Sequence, residues 1–240
     1  MNTVLRLAVG AGVVAASTVP VPTASNNFCA DVTETLTLNG TAVRSESFNL
    51  CMDAASLNWK REVAMSGNLR QAQIFTAKDN QLYDVYYEVS EKHMKYLNCS
   101  VTTPTSPTTA SDLPFHFVII DDTATLNGTQ KTGGVASEDY RHLRPAKSQG
   151  PFKFPAEDMN WYVSKAVVDN RVDMLETHCI ETIPGEGETD GGRNFQKNYK
   201  RGVPPGTFDP PTASGVHCTK VPPHANAYQH GVEQWIRDMQ

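Results

Sequence analysis

Alternating apolar and polar positions over residues 57–99 predict three or four consecutive antiparallel strands. In LNWKREVAM, residues 57–65, the apolar side chains and Arg61 share one side, while mostly polar residues occupy the other. That period of two is typical of a strand with one wet face. Polar breaks separate it from similar segments at 69–77 and 81–89. We therefore expect a meander in the middle of a curved antiparallel sheet.

Two Asn-Gly pairs mark further turns. Asn39-Gly40 predicts a tight hairpin between strands Ala30–Leu38 and Thr41–Leu50, because both turn residues must accept positive φ. The surrounding sequence recurs at 123–129 as TATLNGT. We expect a second, similar hairpin corner at Asn127-Gly128.

Turn residues and periodicity predict the remaining elements. Strands are predicted at 159–167 and 171–180, joined as a late hairpin, and His116–Asp121 is predicted as a short strand. Ser137–Leu143 suggests a short helical turn, and 183–192 an acidic loop. The period then changes to that of an amphipathic helix near the end of the chain. Its apolar positions, within 226–239, are Tyr228, Val232, Trp235, Ile236 and Met239.

The first residues indicate export. A single cation, Arg6, precedes an apolar run at 7–19, which is shorter than the roughly 20 residues that span a bilayer. Cleavage sites are offered by Val14-Ala15-Ala16 and by Thr23-Ala24-Ser25. We assign 1–25 as a signal peptide, 26–223 as one antiparallel β domain and 224–240 as the C-terminal helix. No transmembrane segment is expected after cleavage.

The cysteines fit an oxidising compartment. The chain has five, far apart and without a Cys-x-x-Cys pair, which favours long-range disulfides over a zinc or redox site. Two bridges and one free thiol is the simplest arrangement. Sequons at Asn39 and Asn127 are candidate glycosylation sites, whereas Cys99 occupies the middle of the third, at Asn98.

Composition and motifs exclude several functions. The 240 residues carry a net charge of −5 and no basic run, so a nucleic-acid surface is not expected. No sequence signature of catalysis or of a resident cofactor is present, and we predict a protein that is not an enzyme. A secreted hydrolase would require convergence of His116, Asp121 or Glu138. The acids at Glu186, Glu188 and Asp190 resemble the start of a calcium loop, but Lys197 stands where a bidentate acid is needed.

The apolar sheet face is the candidate binding surface. If it is only partly covered, it leaves a pocket for an apolar ligand. The predicted ligand-binding residues are Trp59, Val63, Phe75, Tyr83, Tyr87, Phe117 and Trp161. Met65, Val85, Ile119 and Val163 are further candidates for the same face.

The order of these features resembles the ependymin-related family of secreted glycoproteins, whose fold is similar to the LolA-like half-barrel. The resemblance rests on Cys29 soon after the signal peptide, the strand trio ending in Cys99, the Trp161 strand before Cys179, and FDPP (208–211) before Cys218. It implies a half-barrel with a hydrophobic pocket, calcium binding and a part in cell-matrix adhesion. It also implies disulfides Cys29–Cys179 and Cys99–Cys218, which would leave Cys51 without a counterpart.

Together these observations predict a secreted, mainly β protein that binds an apolar, lipid-like ligand without catalysis. The alternative is an extracellular adhesion or structural glycoprotein whose sheet face is ordinary core. The expected partner is an apolar small molecule or a matrix component, with homodimerisation left open.

Overall fold

The computed structural model describes residues 20–90, 93–104, 108–109, 113, 115, 118–149, 152–183 and 187–222. The predicted C-terminal helix, His116 and Phe117, and residues 1–19 of the predicted leader lie outside these residues. The described chain is mainly β, with a 3₁₀ helix at Pro211–Ser214. The strands are β1 (Asn27–Leu38), β2 (Thr41–Asp53), β3 (Asn58–Ala64), β4 (Leu69–Thr76), β5 (Gln81–Val89), β6 (Met94–Thr102), β7 (Thr125–Thr132), β8 (Val135–Arg144), β9 (Lys147–Gln149), β10 (Phe152–Phe154), β11 (Glu157–Ser164), β12 (Met174–Ile183), β13 (Gly187–Arg201) and β14 (Thr219–Lys220).

Twelve of these strands form one large, curved, unclosed sheet in the order β14-β6-β5-β4-β3-β2-β1-β13-β12-β11-β8-β7. Strands β9 and β10 form a separate pair. The predicted meander is confirmed as β3, β4 and β5 with β6 beside them, each pair antiparallel. The β1–β13 pair joins the first part of the chain to the last, so the middle of the sheet depends on contacts distant in sequence.

The hairpin at Asn39-Gly40 is confirmed. Both residues have positive φ, 49° and 76°, and they connect β1 to β2. The late hairpin of β11 and β12 is also confirmed, with Asp169 and Asn170 at φ 52° and 58° in its connection. Residues that tolerate positive φ therefore mark both turns correctly.

The second predicted corner, at Asn127-Gly128, is wrong. Strand β7 runs through both residues, and the pairing with β8 absorbs an irregularity between Leu126 and Gly128. The turn lies at Gly133-Gly134, with φ of 55° and 87°. A glycine pair accepts positive φ at both positions, and here it takes the turn five residues after the Asn-Gly pair.

Three local predictions are corrected. Ser137–Leu143, predicted as a helical turn, lies within β8, because Tyr140 of this segment pairs with buried Trp161. Of the strand predicted at 116–121, the described residues 118–121 are not in a strand. Much of the predicted acidic loop belongs to β13, where Gly191 and Gly192 pair with β1. Sheet pairing outweighs the weak strand propensity of these glycines.

The sheet has an apolar cluster on each face, and the register of β3, β4 and β5 shows which side chains belong to which face. Trp59 pairs with Phe75, and Phe75 with Leu82, so this row of side chains shares one face, which we call the inner face. The next row, Lys60, Ile74 and Tyr83, occupies the opposite, outer face. The larger cluster lies on the inner face and draws on strands as far apart in sequence as β1 and β13.

Two disulfides cross-link the chain, and Cys179 is free. Cys99–Cys218 agrees with the pairing that the family resemblance implies. The implied Cys29–Cys179 bridge is wrong, because Cys29 is bonded to Cys51. These two residues stand directly opposite each other on β1 and β2, whereas Cys179 packs against the inner cluster on β12. Disulfides are typical of an oxidising environment.

Candidate binding site

The structure divides the predicted ligand-binding residues between the two faces. Trp59, Phe75 and Trp161 belong to the inner cluster, with Val63 packed against it. Tyr83 and Tyr87 belong to the outer cluster, beside the Cys99–Cys218 disulfide. The six of these residues that the structure describes therefore do not line one pocket. Among the further candidates, Val163 and Ile119 are on the inner face, Val85 joins the outer cluster, and Met65 is half exposed.

The inner face is covered by the chain itself. Trp59 is 3% exposed, and Phe75 and Trp161 are 0% exposed. Phe115 packs edge-on against Trp59, with 5.4 Å between the ring centroids. The neighbouring residues Leu113, Phe115, Val118, Ile120 and Ala124 are buried in the same cluster. We call 113–124, in its described residues, the cover segment.

A small cavity lies at the border of the cover segment. It has a volume of about 160 Å³ and is lined by residues of 21–26 and of 118–122. Pockets for drug-sized ligands usually measure about 300–1,000 Å³. This cavity is too small for a lipid-like molecule unless the cover segment moves.

A second depression, which we call the outer groove, lies on the outer face across β13, β1, β2, β3 and β4. Its volume is about 250 Å³. One row of paired residues, Lys197, Asp31, Asn49 and Glu62, crosses it. Thr33, Ser47, Ala64 and Arg70 also line it, together with the buried residues Val32 and Phe48. Sequence alternation places these residues on strands, but only the pairing of distant strands brings them together, so the groove was not predicted.

The two carboxylates of the outer groove already have hydrogen-bond partners. Asp31 accepts from the Asn49 Nδ2, at 3.1 Å, and from the Asn198 Nδ2, at 2.5 Å. Glu62 lies 2.8 Å from the Lys60 ammonium. Burial acts to raise the pKa of Glu62, but hydrogen bonds from Lys60 and Tyr87 outweigh it and lower the pKa. Both acids are therefore held as structural acceptors.

A histidine on the outer face is held between two carboxylates. His178 Nδ1 lies 2.8 Å from Asp190, and Nε2 lies 3.1 Å from Glu176. These hydrogen bonds, with Asp190 the larger contributor, raise the pKa of His178 to about 9 against the cost of burial. Gly192 makes room for the ring, since a Cβ there would lie 3.0 Å from Cε1. The arrangement is an ion-paired, charged histidine, which is a poor metal ligand.

The candidates for reaction chemistry are not brought together. Burial, and then the acids Glu181 and Glu157, raises the pKa of the Cys179 thiol to about 12, so it is a weak nucleophile. Asp121 contacts His142 on β8. Glu138 stands four residues before His142 on the same strand, which separates the two positions by about 13 Å. His116, the third residue of the hydrolase hypothesis, lies outside the described residues.

The calcium prediction gains no geometric support. Glu188 and Asp190 stand on β13, and Asp190 is engaged by His178, while Glu186 lies outside the described residues. Among the residues the structure describes, no three His, Cys, Asp or Glu side chains are placed to hold a metal ion. Calcium binding stays a prediction.

The two candidate glycosylation sites are both exposed. The Asn39 Oδ1 accepts a hydrogen bond from the Glu188 backbone N–H at 3.0 Å. Asn127 lies on β7, the last strand in the sheet order, and its Nδ2 donates to the Asp139 carboxylate at 2.7 Å. Modification at either asparagine stays a prediction.

No protein-family model matches the sequence, and no curated protein matches it. The resemblance to the ependymin-related family therefore stays a hypothesis. Within the described residues, none of the helical structure has the length and apolarity needed to cross a bilayer.

Proposed function

We propose that the chain is a secreted, non-catalytic protein that binds an extracellular matrix component through its outer surface. The two disulfides support an oxidising environment, and the apolar run at 7–19 supports export. The observation that carries the proposal is the burial of Trp59, Phe75 and Trp161. Because these side chains have almost no accessible surface, the inner face acts as core. Recognition of a partner is then left to the outer face and the rest of the exposed surface.

Parallel binding assays on the purified full-length protein test this proposal. We expect saturable binding to an immobilised matrix extract and no saturable binding of a fluorescent fatty-acid probe. Two variants serve as controls in both assays. Trp161→Phe changes only the core, and Lys78→Gln changes only an exposed turn. Probe uptake that unlabelled fatty acid displaces, without matrix binding, would overturn the proposal.

A second candidate, the carrier of an apolar ligand, is favoured by two observations on the inner face. The described residues of the cover segment contain no strand, so its removal would break no sheet pairing among them. The Trp59 indole Nε1 is buried and has no hydrogen-bond partner in the described structure. A ligand that displaced the cover segment would meet a donor ready for its polar end.

Fatty-acid titration of the wild type and of Trp59→Phe tests this candidate. The substitution removes the indole N–H but keeps an aromatic ring. A carrier should lose affinity for fatty acid in this variant while its unfolding midpoint changes little. Absence of saturable fatty-acid binding in the wild type would reject the carrier function.

A further inference from the structure

We propose that the outer groove binds an acidic sugar of the extracellular matrix, with sulfate or carboxylate groups of the sugar held by Arg70 at one end and by Lys197 at the other. The inference deepens the proposed function and rests on it. Four features of the described residues carry it: the shape of the groove, its balance of charge, the irregular backbone beside it and the chemistry of its floor.

The groove exists because small side chains stand between long ones. Thr33 pairs with Ser47, and Ala64 pairs with Arg70, so these residues continue the outer face one row beyond Asp31. Thr33, Ser47 and Ala64 are exposed. Their short side chains form a floor between Arg70 at one end and Lys197 at the other.

The charge of the groove favours an anion. Arg70 Nη1 donates to the carbonyls of Gly67 and Leu69, at 3.3 and 3.0 Å, which orients the guanidinium. Neither Arg70 nor Lys197 lies within 4 Å of a carboxylate among the described residues, although the charge of Arg70 contributes to the lowered pKa of Glu62. The carboxylates of Asp31 and Glu62 already accept hydrogen bonds. The groove therefore has spare donors and few spare acceptors.

Two more cations flank it. Lys60 and Lys200 stand opposite Cys51 and Cys29 in the adjacent row. Four cations thus surround two acids on a chain whose net charge is −5. Although Lys60 is paired with Glu62, the cations outnumber the acids here, and this local excess of positive charge attracts an acidic ligand to the groove.

The strand that presents Lys197 is irregular. The β1–β13 register shifts on both sides of the Asp31–Lys197 pair. Asn198 has a φ of 54°, and its side chain is bonded to Asp31. Bulges re-aim side chains, and left-handed non-glycine residues persist where the surrounding structure holds them, often at binding sites.

The floor is suited to a sugar. The Thr33 and Ser47 hydroxyls lie 3.3 Å apart, and those of Thr35 and Ser45, one row further, lie 3.4 Å apart. Such hydroxyls donate and accept in turn, as sugar hydroxyls do. A polar floor of this kind does not favour an acyl chain, and the volume of about 250 Å³ suits a compact group.

Calorimetric titration of the full-length protein tests the inference. The probes are a sulfated heparin-derived tetrasaccharide, its desulfated form, which retains only carboxylates, and sodium sulfate. We expect the sulfated tetrasaccharide to bind most tightly and sodium sulfate most weakly. Each of Arg70→Gln and Lys197→Gln should weaken binding about tenfold, the effect of losing one charged hydrogen bond. Ala64→Met should weaken it by filling the floor with every charge retained.

The double variant Lys78→Gln/Lys220→Gln removes two exposed cations elsewhere and should bind normally. Equal affinity in the groove variants and the wild type, or an equal loss in this control, would overturn the inference. Sodium sulfate binding as tightly as the tetrasaccharide would overturn the sugar assignment. Matrix binding that survives in the groove variants would reject the groove and leave the proposed function standing.

Discussion

The Arg193 Nε lies 2.6 Å from the Glu34 Oε1, across the β1–β13 pair. The two side chains are only 4% and 11% exposed, and the contact is a close ion pair rather than an aligned hydrogen bond. It lies at the strand pair that joins the first part of the chain to the last in the middle of the sheet. Charges so deeply buried are stable only when their partners are present.

We expect Glu34→Met to lower the free energy of unfolding by about 3–5 kcal/mol, because it leaves a buried guanidinium without this carboxylate. Urea unfolding followed by tryptophan fluorescence measures the change. The double variant Glu34→Met/Arg193→Met should recover much of the loss, since it removes both buried charges. A double variant as unstable as the sum of the two single variants would contradict this account.

The His178 ion pairs predict a pH-dependent stability. The folded pKa of about 9 exceeds the ordinary value of 6.5, so the protonated form is favoured by folding. The contribution, about 3 kcal/mol at most, should be complete below pH 6.5, decline as pH rises, and vanish above about pH 9. Denaturant unfolding at pH 6 and pH 10 should therefore show a larger decrease for the wild type than for His178→Gln. His217→Gln, at an exposed position, serves as the control, and an identical pH response in all three proteins would refute the assignment.

Alternation in the sequence locates strands well, but it does not determine which faces meet. The sequence places Trp59, Phe75 and Tyr83 on one surface, yet Phe75 stands opposite Leu82, and Tyr83 belongs to the next row. A shift of one residue in register moves a whole strand's side chains to the other face, and the turn between β4 and β5 sets that register. The pairing of Asp31 with Lys197 depends on distant segments, so no local pattern could reveal the outer groove.

The two Asn-Gly pairs provide a matched test of turn chemistry. Gly40 has a φ of +76°, whereas Gly128 lies within β7 outside the left-handed region, and neither would have another atom within 4 Å of an added Cβ. Gly40→Ala should therefore lower the free energy of unfolding by about 1–2 kcal/mol, through backbone strain alone. Gly128→Ala should be neutral or slightly stabilising. Thermal or urea unfolding of both variants checks this, and equal losses would mean that the turn at Gly40 and the strand position of Gly128 were assigned wrongly.

The packing of residues 23–25 bears on where the predicted leader is cleaved. Ala24 is 6% exposed and forms a parallel bridge with Val172. The Ser25 N–H donates to the Val172 carbonyl at 2.8 Å, and the Val172 N–H donates to the Thr23 carbonyl at 3.1 Å. Cleavage after Ser25 would remove these bonds and uncover part of the inner cluster.

We therefore expect the exported protein to be cleaved at Val14-Ala15-Ala16 and to retain Thr23-Ala24-Ser25. Sequencing of the N-terminus of the secreted protein tests this directly, and a mature chain beginning at Asn26 would contradict it. A variant tests the packing of residues 23–25 independently of where the leader is cleaved. Ala24→Asp should destabilise the folded protein by about 1–3 kcal/mol or more, because a carboxylate would be buried without a partner. Asp122→Ala, at an exposed position beside the same small cavity, should leave stability nearly unchanged. Equal stability of Ala24→Asp and the wild type would show that residues 23–25 are dispensable to the fold.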